Sequence, residues 1–202
     1  IETINRNLPI WSSYEPGSTF KILTLSAALN EGKVNLFEDT YYDTGGIKVG
    51  GSTLHCWKAG GHGFETFLEV VENSCNPGFV VLSNKLGKET LFNYIDKFGF
   101  GKKTGIDLNG ESKGIIFSLD KVGPLELATT GFGQGVSVTA IQQVTAVSAI
   151  VNNGNMYTPF VVVAGTIFDN TENSNIKISS GKVIENGNKT IAIGLAVPGM
   201  QE

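Results

Sequence analysis

Two cysteines and two histidines are all the thiol and imidazole that 202 residues carry, too few cysteines for a disulfide framework. No run of about 18 apolar residues occurs, so no segment reads as a membrane-spanning helix. Basic residues are not in excess. Fifteen Lys and Arg against 19 Asp and Glu give a net charge of −4, which leaves no electrostatic footprint for nucleic acid or an anionic surface. There is no internal repeat and no low-complexity tract. The chain opens Ile1-Glu-Thr without Met or a signal peptide, and is expected to be a piece of something longer. What is present is ordinary for a globular chain: 41% apolar and 17% charged residues, with ample length for a buried core. Glycine is frequent, at 26 residues, and predicts many tight turns and close backbone approaches.

The organising stretch is Tyr14-Glu-Pro-Gly-Ser-Thr-Phe-Lys21. Pro16 and Gly17 set a turn, and Ser18 opens a segment in which Phe20, Leu23, Ala27 and Ala28 recur at helical spacing until Gly32. On such a helix Ser18 and Lys21 lie one turn apart and face the same patch. A hydroxyl beside an amine is the minimum kit for an activated serine nucleophile, and Ser-x-x-Lys is the nucleophile motif of penicillin-binding proteins and class A β-lactamases. The bland alternative makes Ser18 a helix cap and Lys21 a solvated first-turn residue.

Further along, residues 1–17 read as irregular and extended. Short β-like runs at Thr40–Tyr42, Ile47–Val49 and Thr53–Leu54 alternate with glycine turns. Helical spacing covers 65–73, 77–86 and 88–98, with Pro77 suited to a first helical position. Residues 102–128 are turn-rich, and Val138–Val151 reads as a long small-residue helix. Val161–Phe168 is a β-branched run typical of a buried strand, and 169–202 reads as short hairpin strands. The order predicts an α+β chain, a helical cluster on an antiparallel sheet.

A second motif, Ser74-Cys-Asn76, puts a hydroxyl and an amide two residues apart; alternatively, Ser74 only caps the helix begun by Pro77. All four soft ligands fall within residues 55–75: His55, Cys56, His62 and Cys75, with Cys56-x5-His62-x12-Cys75 a workable zinc spacing and Asp43 an additional oxygen ligand. Such a metal would be structural and would clamp the Ser74 loop from behind. A disulfide and a pair of free thiols remain open beside it. Gly131-Phe-Gly-Gln-Gly135 lacks the Gly-Lys-Ser/Thr ending of a phosphate loop. Trp11, Trp57 and Tyr14 read as packing residues.

Four blocks stand in one order: Tyr14–Lys21, Glu72-Asn-Ser-Cys-Asn-Pro77, Phe98-Gly-Phe-Gly-Lys-Lys-Thr-Gly-Ile-Asp-Leu-Asn-Gly-Glu111 and Gly133-Gln-Gly-Val-Ser-Val-Thr139. That order resembles the transpeptidase domain of class B penicillin-binding proteins over residues 4–160, and His55-Cys-Trp-Lys with His62-Gly resembles their sporulation-specific branch. The resemblance implies a penicilloyl-serine-transferase fold over 1–168, with 169–202 as the end of the same sheet or an appended module. It implies a D,D-transpeptidase that acts on D-Ala–D-Ala stem peptides of peptidoglycan, serves spore cortex wall synthesis and is trapped by β-lactams. Ser18 would be the nucleophile, Lys21 the base, Ser74 the proton shuttle and Asn76 the residue holding Lys21 and the substrate amide. No cofactor is implied for catalysis. A glycosyltransferase of the wall-synthesis complex is the implied partner, and the extracytoplasmic face of a bacterial membrane, reached by an N-terminal anchor outside this sequence, is the implied location.

The family also has a Lys-Thr-Gly strand on the far wall of the cleft. Lys103-Thr-Gly105 is not it, since it belongs to the Phe98–Glu111 turn block. The strand is expected after Met156-Tyr-Thr-Pro159, where this sequence passes directly to Val161, so a block around 159–161 is expected to be missing. A serine β-lactamase and a catalytically silent β-lactam sensor or assembly scaffold are the alternatives.

Overall fold

The computed structural model describes residues 6–161, together with the backbone of strands at 183–186 and 189–192. Leu8–Trp11 (α1) opens the described chain, with Pro9 in its first turn, where the missing N–H costs nothing, and Ile10 buried. This turn of helix lies in a segment expected to be extended. Ser13–Tyr14 (β1) then pairs antiparallel with the distant Val138–Thr139 (β6), closing the two ends of the described region on one another.

The Ser18 segment is helical, but in two parts. Gly17–Phe20 is a 3-10 turn that runs directly into Lys21–Asn30 (α2), whose buried side includes the expected Leu23, Ala27 and Ala28. The tighter turn follows from Pro16 and Gly17, whose φ of 55° bends the entry before α-helical bonding starts. The Ser18 side chain makes no capping bond at either junction, so the cap reading fails.

The β-like runs become Thr40–Asp43 (β2), Gly46–Val49 (β3) and Ser52–His55 (β4). β3 and β4 form a hairpin, and β2 pairs with Gly63–Thr66 (β5). Glu65 and Thr66, expected to be helical, are held in β5 opposite Tyr41 and Thr40. The helix Phe67–Glu72 (α3) begins only after Thr66, whose hydroxyl and the Glu69 carboxylate form a reciprocal capping box. Asn76–Leu86 (α4) and Lys88–Lys97 (α5) follow as expected, separated by Gly87. Pro124–Thr130 (α6) emerges from the stretch read as turns, and Ala140–Val151 (α7) starts two residues later than expected, after a Thr139–Gln142 capping box.

α4 is the central element. It packs against α2, α5 and α6 and buries Phe79, Val80 and Leu82. Truncating Phe79 to Ala would cost about 3–5 kcal/mol, the usual range for an aromatic cavity in a packed core. The fold is α+β with antiparallel pairing, and among the described residues the strands pair two by two. Val183–Asn186 (β7) and Lys189–Ala192 (β8) form a hairpin within the tail read as hairpin strands. Residues 162–168 of the expected buried strand, and with them the boundary at 168, lie outside the described residues. No helix among the described residues is long and apolar enough to cross a membrane.

Candidate active site

The turn that carries Ser18 is gripped from outside by the glycine-rich segment before β6. Gly17 N–H donates to Gly133 O at 2.9 Å, Gly135 N–H to a Glu15 carboxylate oxygen at 2.8 Å, and the Thr24 hydroxyl to Gly131 O at 2.8 Å. From α7, the Gln143 amide donates to Thr19 O at 3.1 Å. The approach is so close that a Cβ on Gly133, where φ is +80°, would lie 2.2 Å from Gly17 O. Gly131–Gly135 therefore serves as the cradle of the Ser18 turn. The Ser18 side chain itself is exposed to solvent.

Lys21, the C-cap of that turn, is only 4% exposed. Its ammonium donates to Ser74 O at 2.7 Å, Ser74 Oγ at 2.9 Å and Asn76 Oδ1 at 2.7 Å, so three N–H donors meet three acceptors. The Phe79 ring centroid lies 5.2 Å from the same nitrogen. Burial lowers the Lys21 pKa from 10.5 to about 8, against a smaller opposing electrostatic influence of the nearby Cys75 and Cys56.

Both Ser74 acceptors reach one amine because Ser74 adopts a left-handed backbone, φ 51°, uncommon for a residue with a Cβ. The residue at the cap of α4 is Cys75, without a side-chain bond, so the reading of Ser74 as a helix cap fails as well. The Asn76 amide completes the loop by donating to His55 O at 3.3 Å. Lys21, Ser74 and Asn76 thus form one constellation, a buried amine with a hydroxyl and an amide on it, and the exposed Ser18 lies one turn before Lys21 along the chain.

Behind the loop, Asp43, Cys56, His62 and Cys75 converge, with ligand atoms all within 4.8 Å of one another. His62 Nδ1 is 3.4 Å from Cys56 Sγ and 3.1 Å from Asp43 Oδ2, and the Cys75 thiol donates to the same Asp43 oxygen at 3.5 Å. A zinc tetrahedron built from bonds of 2.0–2.3 Å has edges of about 3.3–3.8 Å; the 3.4 and 3.5 Å separations match such edges, the 3.1 Å one is slightly short, and the donor types are those of a two-sulfur, one-nitrogen, one-oxygen site. His55 is not part of it; its side chain is exposed on β4, and Asp43 takes the fourth place.

The two cysteines are not bonded to each other. Burial raises both thiol pKa values, Cys75 most strongly. Asp43 is pushed up by burial but pulled further down, to about 2, by hydrogen bonds from Cys56, Gly45 and His62. Buried His62 Nε2 and Glu65 Oε2 have no hydrogen-bond partner.

Other sequence readings sort cleanly. The Thr104 hydroxyl and N–H are taken by the Glu111 carboxylate, so Lys103-Thr-Gly105 is a self-satisfied turn and not a cleft strand. Trp11, Tyr14 and Trp57, read as packing residues, are 38%, 45% and 67% exposed. The sequence reading missed the grip on Asn73, whose carbonyl accepts from Trp57 Nε1 at 2.8 Å and whose amide donates to Glu65 Oε1 at 2.7 Å. The one available signal was the clustering of Trp57 and Glu65 around the cysteine–histidine block.

Residues 2–186 match the penicillin binding protein transpeptidase domain. Over 157 residues, 78% of this chain and 24% of the relative, the sequence is 68% identical to stage V sporulation protein D of Bacillus subtilis. It is 29% identical over 169 residues to the peptidoglycan D,D-transpeptidase MrdA of Acinetobacter baumannii, covering 78% of this chain and 25% of that protein. The chain thus spans about a quarter of the length of these relatives. Among solved structures, penicillin binding protein 3 of Mycobacterium tuberculosis complexed with aztreonam superimposes with a TM-score of 0.72 at 33% identity, covering 77% of this chain and 35% of that one. The α+β arrangement described above is that of the penicilloyl-serine transferases.

Proposed function

Because the chain belongs to the penicillin-binding protein transpeptidase family, we propose that it carries the acylating half of a peptidoglycan D,D-transpeptidase with Ser18 as nucleophile. The observation that carries this reading is the Lys21 amine, buried, its pKa lowered to about 8, and held by Ser74 and Asn76 one turn from the exposed Ser18. Ser18 Oγ attacks the carbonyl of the penultimate D-Ala of a stem peptide, and its proton passes to neutral Lys21 Nζ. The proton moves on through Ser74 Oγ to the amine of the terminal D-Ala, which leaves as the C–N bond breaks and a Ser18 ester remains. An amine from a neighbouring stem peptide then attacks that ester, and the proton relay runs in reverse. Asn76 holds Lys21 and accepts the substrate amide. A β-lactam follows the same first step, but its cleaved ring stays attached and blocks the ester.

The 68% identity to a protein named for stage V of sporulation supports a role in spore cortex wall synthesis. The reaction belongs on the extracytoplasmic face of the membrane, beside a glycosyltransferase that supplies glycan. The Lys-Thr-Gly strand that completes the cleft belongs to a block missing between Pro159 and Val161; an uninterrupted gene sequence running Pro159-Phe160-Val161 would refute that. Asp43, Cys56, His62 and Cys75 hold a structural zinc. Bound there, the ion would supply thiolate and carboxylate cross-links behind Cys75 and take no part in acyl transfer.

Crosslinking of purified stem peptides by the full-length protein, with Ser18→Ala as control, tests the reaction. Release of D-Ala with formation of peptide dimers is expected. Labelling by penicillin without dimers would point to a sensor, and release of opened β-lactam within seconds to a β-lactamase.

A further inference from the structure

Ser74 supplies two of the three acceptors on the Lys21 amine, and it does so in a left-handed conformation, φ 51°, that a residue with a Cβ keeps only when its surroundings hold it there. Two bonds that close α3 hold it directly, Ser74 N–H to Val71 O and Cys75 N–H to Val70 O, both at 3.0 Å, and the rest of the holding falls on the residue before it. Asn73 is pinned at three polar groups by three separate parts of the fold: its N–H donates to Glu69 O in α3 at 2.8 Å, its side-chain amide to Glu65 Oε1 in β5 at 2.7 Å, and its carbonyl accepts from Trp57 Nε1 at 2.8 Å.

The third bond is the unusual one. Trp57 is 67% exposed, so packing does not account for its placement. Its ring meets the edge of His62, centroids 5.3 Å apart, and its one polar atom is aimed at the peptide that joins Asn73 to Ser74. A rotation of that peptide would turn the Ser74 carbonyl and hydroxyl away from Lys21 together.

We propose that Trp57 is a positioning residue for the acyl-transfer site, acting through its indole N–H on the Asn73 carbonyl to hold Ser74 in the conformation that presents both of its oxygens to Lys21. The inference rests on the proposed role of Lys21 and Ser74 in acylation. Trp57 touches no reacting atom and lies outside the candidate metal ligands. Glu65 is its counterpart from the buried side, so the loop is clamped between a surface ring and a core carboxylate.

Trp57→Phe tests the N–H alone, because the ring over His62 is retained and the exposed position puts folding at little risk. Two readouts on the full-length protein separate the possibilities. With a fluorescent penicillin, the acylation rate constant is expected to fall roughly 3- to 10-fold, the worth of one directed hydrogen bond, while the non-covalent dissociation constant and melting temperature stay at the native values. In hydrogen exchange, the amides of residues 74–76 are expected to exchange several-fold faster and those of the Ser18 turn to stay unchanged.

Native acylation together with native exchange in Trp57→Phe would overturn the inference. A melting temperature that falls in step with the acylation rate constant would reduce Trp57 to a structural residue and overturn it as well. If the unsubstituted protein takes no label, the proposed function fails on its own, and the exchange measurement still decides whether Trp57 holds Ser74.

Discussion

The Ser74–Asn76 loop has two faces, and they are satisfied to different degrees. On the front, Lys21 gives its three donors to three acceptors, and nothing further is needed to hold the amine. On the back, two thiols and an imidazole crowd one Asp43 carboxylate, while His62 Nε2 and Glu65 Oε2 stay buried without a hydrogen bond, the latter only 3.9 Å from His62 Nδ1. A buried polar group without a hydrogen bond costs about 1–3 kcal/mol. The front is therefore complete as protein alone, whereas the back has the donor set of a site finished by a cation. One residue, Cys75, joins them: its neighbours on both sides hold the amine and its own sulfur points into the cluster.

That difference can be broken most sharply from the front. Lys21→Met keeps the length of the buried stem and removes the amine; acylation by penicillin is expected to drop by about 10³-fold or more, and the loss of the donor to Ser74 and Asn76 is expected to cost about 1–3 kcal/mol of stability. A fall in stability without a fall in acylation would mean that Lys21 is only a structural clamp. Next in size is Gly133→Ala. With its Cβ 2.2 Å from Gly17 O and φ at +80°, about 2–4 kcal/mol of destabilisation is expected in urea unfolding, with the Ser18 turn displaced. An unchanged midpoint would show that the cradle is looser than its geometry.

From the back, Cys75→Ser is expected to lower zinc content, measured by atomic emission on the purified protein, from about one equivalent to well below half. The melting temperature should fall with it, as it should on chelation of the native protein. Less than about a tenth of an equivalent in the native protein would leave the cluster a hydrogen-bonded thiol site and remove the contrast between the faces.

The smallest effect is the pH dependence of the front. With a Lys21 pKa of about 8, the neutral fraction rises from about a tenth at pH 7 to about nine tenths at pH 9, so acylation should rise roughly tenfold across that interval. Stability has a related sign. Between about pH 8 and 10.5 the unfolded chain holds more protons on this lysine than the folded one, so this group's contribution to stability grows as pH rises through that window. A rate limb near pH 10 would show that burial does not act on Lys21 as described.

Much of this was legible in the sequence where local chemistry decides it. Pro16-Gly17 before an apolar stripe marked the Ser18 helix, and Pro77 marked the start of α4. The spacing of Cys56, His62 and Cys75 announced a cluster before any fold was known. What escaped depended on partners far along the chain. Glu65 and Thr66 have helical spacing but are drawn into β5 by Thr40 and Tyr41, and a one-sided pattern contains no trace of that pairing. His55 was included by proximity in sequence, yet alternation along β4 puts it on the solvent side, and Asp43 arrives from β2 instead. Trp57 reads in the sequence as a packing residue; only the fold shows its N–H aimed at Asn73. The left-handed Ser74 was equally invisible, since no glycine or asparagine marks it.

The central claim is that Ser18 is the acylated residue. Mass spectrometry of the full-length protein after incubation with a β-lactam measures it directly. The account predicts one adduct of intact β-lactam mass on the peptide that contains Ser18, absent in Ser18→Ala. An adduct on Ser74 or elsewhere, or none under conditions where a known penicillin-binding protein is fully labelled, would contradict it.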